Sequence, residues 1–302
     1  MATILHLNPG IFDQKFKDSS TFRASDSFVR KFLHGLLSWS LWKGTQAAQK
    51  LPEDWEDQCV CSFFCKAYSI KEEDISIVLY MNLDQTQILY APGNWMTWNQ
   101  TGSKQVAVVG MDKKWAFTLL VSIAADGTIL PFQAIYQGKT KLSLPVTTSP
   151  NYADVIDAGF KLEPSGMKMY WSNQQTMCRF VDDILAHYFE RRKVEFSLPT
   201  EQKSLWQIDV WSVHRSDEFQ MWMHTNHSNI IIDFVPGGCT RVHQSCDVSI
   251  QWPLKLSIRK SYHEDIVHEF LSELEKENPI PHLKDQLRIL HDQSVQWMWN
   301  SY

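Results

Sequence analysis

Three aspartates are candidates for chemistry. Asp84 closes the run Ser76-Ile-Val-Leu-Tyr-Met-Asn-Leu-Asp84-Gln-Thr86. Asp209 lies in Leu205-Trp-Gln-Ile-Asp209-Val-Trp211. Asp247 follows the Pro236-Gly-Gly238 turn. A carboxylate in an apolar run is seldom buried without a partner or a metal. Asp84 is therefore either a capping residue where its strand turns, or a ligand at the C-terminal end of a central strand. Two isolated carboxylates at strand ends and a third at a helix start are the donor set that a two-metal phosphoryl-transfer site requires. Mg²⁺ prefers oxygen ligands, and two ions about 4 Å apart can stabilise the attacking and leaving oxygens together.

The elements that must position these carboxylates follow from periodicity. Ser25-Asp26-Ser27 predicts a helix start, with Phe28, Phe32 and Leu36 repeating on one face. A second helix is expected over about Trp39 to Lys50, and Pro52 opens a third. Apolar runs at Gln105–Val109, Phe117–Ile123 and Ile129–Tyr136 read as an antiparallel meander, with a hairpin at Asp126-Gly127. The segment 138–170 is polar and broken by Pro145, Pro150 and Pro164, and reads as a loop or insertion. A helix is expected from Gln174 to about Arg192, then the Asp209 strand, a helix from Asp217 to His224, and a strand over Ile230–Val235. A long helix closes the chain, with Pro253 tolerated only near its start. This order gives an α/β fold with helices packed on a mixed sheet of about five strands, Asp84 and Asp209 on neighbouring strands.

The totals set limits. The chain has 302 residues, 44% apolar and 21% charged, as in a globular protein. No apolar run reaches the length of a membrane span, and the N-terminus has no secretory pattern. Six cysteines without a regular framework suit an intracellular, reduced compartment. The net charge of −5 argues against a grip on nucleic acid by bulk electrostatics. Residues 1–60 balance seven basic against seven acidic side chains, without the basic excess of a DNA-reading module. Cys59, Cys61 and Cys65 are spaced so that a helix splays the first away from the others, which disfavours a zinc site. The spacing of Cys239, His243 and Cys246 leaves two readings, a zinc site or a structural role. Gly138-Lys139-Thr140 lacks the upstream glycines of a phosphate loop.

Three motifs in order carry a family resemblance: Asn82-Leu-Asp84-Gln-Thr86; Ile208-Asp209-Val-Trp-Ser-Val-His214; and Pro236-Gly-Gly-Cys-Thr240 followed by Gln244-Ser-Cys-Asp247-Val-Ser-Ile250. The last two aspartates are 38 positions apart. From about Phe22 to the end the chain resembles the catalytic domain of pogo-like DDE transposases, the DDE-superfamily endonucleases of the mariner superfamily, fungal copies in particular. The resemblance implies an RNase H-like fold with a short N-terminal helical remnant. Residues 1–70 would be the end of a helix-turn-helix region and 71–302 the endonuclease domain. Asp84, Asp209 and Asp247 would be the catalytic triad and hold two Mg²⁺ (or Mn²⁺) ions. His214 would pack or hydrogen-bond beside them without ligating metal. The implied activity is DNA cleavage and strand transfer in the nucleus. DNA, as transposon ends and target, would be the partner, with a homodimer as the implied assembly and no membrane.

The chain departs from that pattern. Gln85 replaces a Glu, Val210 an Asn, Ser245 a Pro and Ser249 a Gly. Trp42, Trp252, Cys61 and Cys65 stand where the family has Arg. The exchanges of Arg to Trp or Cys, Pro to Ser and Gly to Ser fit single C-to-T transitions, the change at 210 does not, and only nine Arg remain against twenty Lys. These exchanges point to an ageing transposon copy with low activity, ordinary drift being the alternative. A non-catalytic domesticated or remnant nucleic-acid-binding protein is the competing function, and an unrelated scaffold with three coincidental aspartates is a third.

Overall fold

The computed structural model describes residues 25–43, 51–90, 96–102, 115–275 and 287–302, with five single positions before residue 25. In chain order these form α1 (Asp26–Leu37), β1 (Trp39–Lys43), α2 (Trp55–Glu72), β2 (Tyr80–Leu89), β3 (Met96–Gln100), β4 (Ala116–Ala124), β5 (Gln133–Tyr136), α3 (Tyr152–Asp157) and β6 (Lys161–Pro164). There follow α4 (Gln174–Phe180), α5 (His187–Glu195), β7 (Ser204–Ile208), α6 (Asp217–Asn226), β8 (Ile230–Phe234), α7 (Thr240–His243), α8 (Gln251–Glu275) and α9 (Leu287–Trp299). The chain divides into two compact units, residues 1–48 with 93–111, and residues 49–92 with 112–302.

In the smaller unit Ser25 caps α1 by accepting from the Phe28 amide, as its sequence predicts. Phe28, Phe32 and Leu36 are exposed. The expected helix over 39–50 is not formed where the chain is described. Ser38 takes a left-handed conformation that ends α1, its N–H returning to the Leu33 carbonyl. Residues 39–43 then form β1, antiparallel to β3. The alternation Trp39-Ser40-Leu41 suits a strand as well as it suits a helix. The expected strand at Gln105–Val109 lies outside the described residues.

The larger unit is built on a six-stranded sheet, ordered β6-β5-β4-β2-β7-β8. Strand β4 pairs antiparallel with both β2 and β5, whereas β7 runs parallel to β2 and β8 parallel to β7. Three antiparallel strands, β5, β4 and β2, continued on one side by the parallel pair β7 and β8, make this the expected RNase H-like mixed sheet, with β6 added at the opposite edge. The 138–170 segment is not a plain loop: it holds α3 and β6, which pairs parallel with β5. Its prolines fall where they are tolerated, Pro150 before α3 and Pro164 at the end of an edge strand.

Period-two alternation explains how the sheet carries a core on both faces. Leu120 and Ala124 of β4 pack with Met81 and Leu83 of β2 against Phe180, Leu185, Tyr188, Trp206 and Phe219. Phe117, Leu119 and Val121 face the other way, onto Leu254, Ile258, Leu290 and Trp297. Strands β2 and β4 close at a neck: Leu89 pairs with Ala116, and the Tyr90 amide donates to the Trp115 carbonyl at 3.0 Å.

Candidate active site

Asp84 lies in the middle of β2, opposite Val121 of β4, and not at the strand's end. The strand begins only at Tyr80 because Ile77–Leu79 forms a single 3₁₀ turn. The even residues of β2 share one face, and on that face the sequence turns polar: Asn82, Asp84, Thr86. The odd residues Met81 and Leu83 stay in the opposite core. The register of β2 with β7 pairs Asn82 with Gln207. Carried two residues on, it sets Asp84 beside Asp209, the first residue past β7.

Asp247 arrives from a different direction. The Pro236-Gly-Gly238 turn reverses the chain after β8, with Gly238 at φ 78° and its α-carbon so near Pro52 that a β-carbon would lie 3.2 Å from the proline ring. Gln244 Nε2 then donates to the Leu83 carbonyl at 2.8 Å, and the Cys246 amide donates to Asn82 Oδ1 at 2.9 Å. Asn82 also donates to the Gln207 carbonyl and side chain, each at 3.3 Å. One buried asparagine thus joins β2, β7 and the segment carrying Asp247. That segment, Cys246–Ile250, is a π-helical turn running into α8. The wider turn lets the helix run on through Pro253.

The three carboxylates reach one another electrostatically. Asp84 is only 9% exposed, and its carboxyl is pushed up to about 8, chiefly by burial, then by the charges of Asp247 and Asp209. Asp209 is held by His214, whose Nδ1 lies 3.0 Å from Oδ1 and 3.1 Å from the Asp209 carbonyl. Two acceptors at Nδ1 place the imidazole proton there. His214 is itself buried beside Trp206, Trp211 and Phe219.

Two neighbours escaped the sequence reading. Gln251 Nε2 donates to Asp84 Oδ2, while Gln251 Oε1 accepts from Thr86 Oγ1 at 2.9 Å and from Lys255 Nζ at 3.1 Å. Burial lowers the Lys255 ammonium, and Asp84 and Asp247 draw it back up. The signal for both was the spacing: Asp247, Gln251 and Lys255 recur every four residues along one helical stretch. Ser249 is exposed, and its hydroxyl donates to the Ser245 carbonyl at 2.7 Å. Cys239, His243 and Cys246 face separate surroundings. His243 Nε2 meets Ser62, and Cys246 Sγ donates to the Asn82 and Val121 carbonyls. Among the described residues, no group of three or more His, Cys, Asp or Glu side chains is arranged to hold a metal ion in its present rotamers. The chemistry of the donor set does fit one: the charges of Asp247 and Asp209 both raise the buried Asp84 carboxyl, and that repulsion is what a divalent cation relieves.

A family model described as DDE superfamily endonuclease matches residues 113–299. The chain belongs to that family. The DDE endonuclease chain is 24% identical over 245 residues to a human protein, "Pogo transposable element with KRAB domain", an alignment covering 80% of this chain and 36% of that protein. The chain therefore spans little more than a third of that relative. Among solved structures, a Mos1 transposase paired-end complex with left transposon end aligns at 10% identity and a TM-score of 0.38, over 91% of this chain and 67% of the other. A Mos1 mariner paired-end complex with Mn aligns at 11% identity and a TM-score of 0.36, over 91% and 68%.

Proposed function

We propose that this DDE endonuclease chain is a transposase catalytic unit that cuts and joins DNA with two divalent ions, Mg²⁺ or Mn²⁺, held by Asp84, Asp209 and Asp247. The observation that carries the reading is the buried Asp84 carboxyl raised by two further carboxylates, one just past the end of the neighbouring strand and one on the π turn. The ions would supply activation of the attacking oxygen and charge balance at the phosphate. The protein's part is to hold its ligands. His214 keeps Asp209 aimed from the strand end, Asn82 ties the Asp247 segment to the sheet, and the rigid β2–β4 pair fixes Asp84. Such holding matters because a displacement of about 1 Å can cost on the order of a hundredfold in rate. With a net charge of −5, attraction to DNA has to come from local contacts and not from the chain's overall field.

The second reading, a DNA-binding remnant without catalysis, draws on one observation: Asp84 is already occupied by the Gln251 amide. Nicking of supercoiled DNA in Mg²⁺ or Mn²⁺ separates the two. Cleavage that is lost in Asp84→Asn and on chelation supports the catalytic reading. Cleavage that persists unchanged in Asp84→Asn rejects these ligands. The absence of any cleavage, with DNA retained, supports the remnant.

A further inference from the structure

The Gln251 amide has an orientation fixed by its surroundings. Thr86 Oγ1 and Lys255 Nζ both point donors at Oε1, and an ammonium has nothing but donors to offer. The carbonyl end must therefore face them, which turns Nε2 onto Asp84 Oδ2. Gln251 is buried, so water does not compete for these bonds. The amide carries partial positive charge to the one carboxylate of the three that lies deepest. Lys255 stands behind it as a full positive charge near Asp84 and Asp247.

We propose that Gln251, clamped by Thr86 and Lys255, is a built-in competitor for the divalent ion at Asp84, which must swing off the carboxylate before an ion can bind there. The inference rests on the reading of the three aspartates as ion ligands. It assigns Gln251 a role opposite to that of a positioning residue. A side chain that merely oriented Asp84 would strengthen ion binding, whereas a competitor weakens it. A buried hydrogen bond to the oxygen the ion needs has the size required to matter in that balance.

The test is Mn²⁺ affinity of the whole chain, read from the electron paramagnetic resonance signal of unbound Mn²⁺, so no DNA and no turnover are involved. Gln251→Ala is expected to bind Mn²⁺ about tenfold more tightly than the unmodified chain, equivalent to about 1.4 kcal/mol. Thr86→Val, which removes one clamp and keeps the shape, is expected to shift affinity the same way by about threefold, and it serves if Gln251→Ala does not fold. Asp84→Asn is expected to weaken binding at least tenfold. Affinity in Gln251→Ala and Thr86→Val equal to or weaker than in the unmodified chain, with Asp84→Asn still weakened, overturns the competitor role and leaves the ion ligands standing. Affinity unaffected by Asp84→Asn, or no binding by any of the four proteins, overturns the ion reading and the competitor with it.

Discussion

At the residue scale, Asp84 is a carboxyl held in its neutral form by its surroundings. Its folded-state titration lies near 8, against about 3.9 for an ordinary aspartate. Between those values the native protein keeps a proton that the unfolded chain has lost, so native stability falls as pH rises from about 4 to about 8. Asp84→Asn has no such loss. In a chelating buffer its advantage over the unmodified protein is expected to be nearly absent at pH 4 and to grow to on the order of 5 kcal/mol at pH 8. Thermal melts across that range check it, and parallel pH profiles for the two proteins would refute it. The sequence showed Asp84 and Asp209 because a charge in an apolar run needs a reason. It hid the Gln251 contact: the four-residue spacing from Asp247 puts Gln251 on the same helical face, but for an uncharged amide that spacing gains meaning only once Asp84 is placed opposite it.

At the element scale, α2 is tied to the strand next to the site by a polar chain. Lys66 on α2 lies 3.9 Å from Asp233 of β8 and over the Tyr80 ring. Gln207 of β7 donates to Asp233 at 2.9 Å, and Tyr80 donates to Gln207 at 2.9 Å. Burial lowers the Lys66 ammonium and raises the Asp233 carboxyl, so each depends on the other. Lys66→Met is expected to cost about 1–3 kcal/mol by leaving a half-buried carboxylate behind. Adding Asp233→Asn is expected to recover about 1 kcal/mol of that. Urea unfolding of the two single variants and the double variant measures the coupling, and strictly additive losses would show that the pair contributes nothing. Element types were legible wherever length separated the periods, as in α4, α6 and the helix through Pro253. They were illegible in short stretches: Trp39–Lys43 matches either period, and β6, with four residues, has an edge-strand composition that a loop shares.

At the scale of the whole molecule, the order of strands and helices was readable because each helix and strand of the larger unit carries its own stripe or run. The sheet's neighbours β2 and β7 came out as expected from that order alone. The division of the chain into two units was not readable in the same way, since its smaller unit is assembled from segments on both sides of β2. Composition does not mark such an interleaving, and only contacts across about fifty residues of sequence, such as the pairing of β1 with β3, reveal it.

The neck at Leu89–Ala116 makes that interleaving reversible. Two strands whose last paired residues already sit in antiparallel register need only a two-residue connection to become an ordinary hairpin, and Asn-Gly has the backbone preference for it. A gene encoding residues 51–302, with 91–114 replaced by Asn-Gly, would turn a loop closure of over twenty residues into a local one. The entropy lost in bringing β2 and β4 together would shrink, and the pairing on which the sheet is founded would form early and fast. The trimmed protein is expected to unfold in a single cooperative transition and to refold faster than the parent. Stopped-flow refolding after urea dilution gives the rate, and a trimmed chain that melts without cooperativity would mean that the excised segments are part of what holds the sheet together.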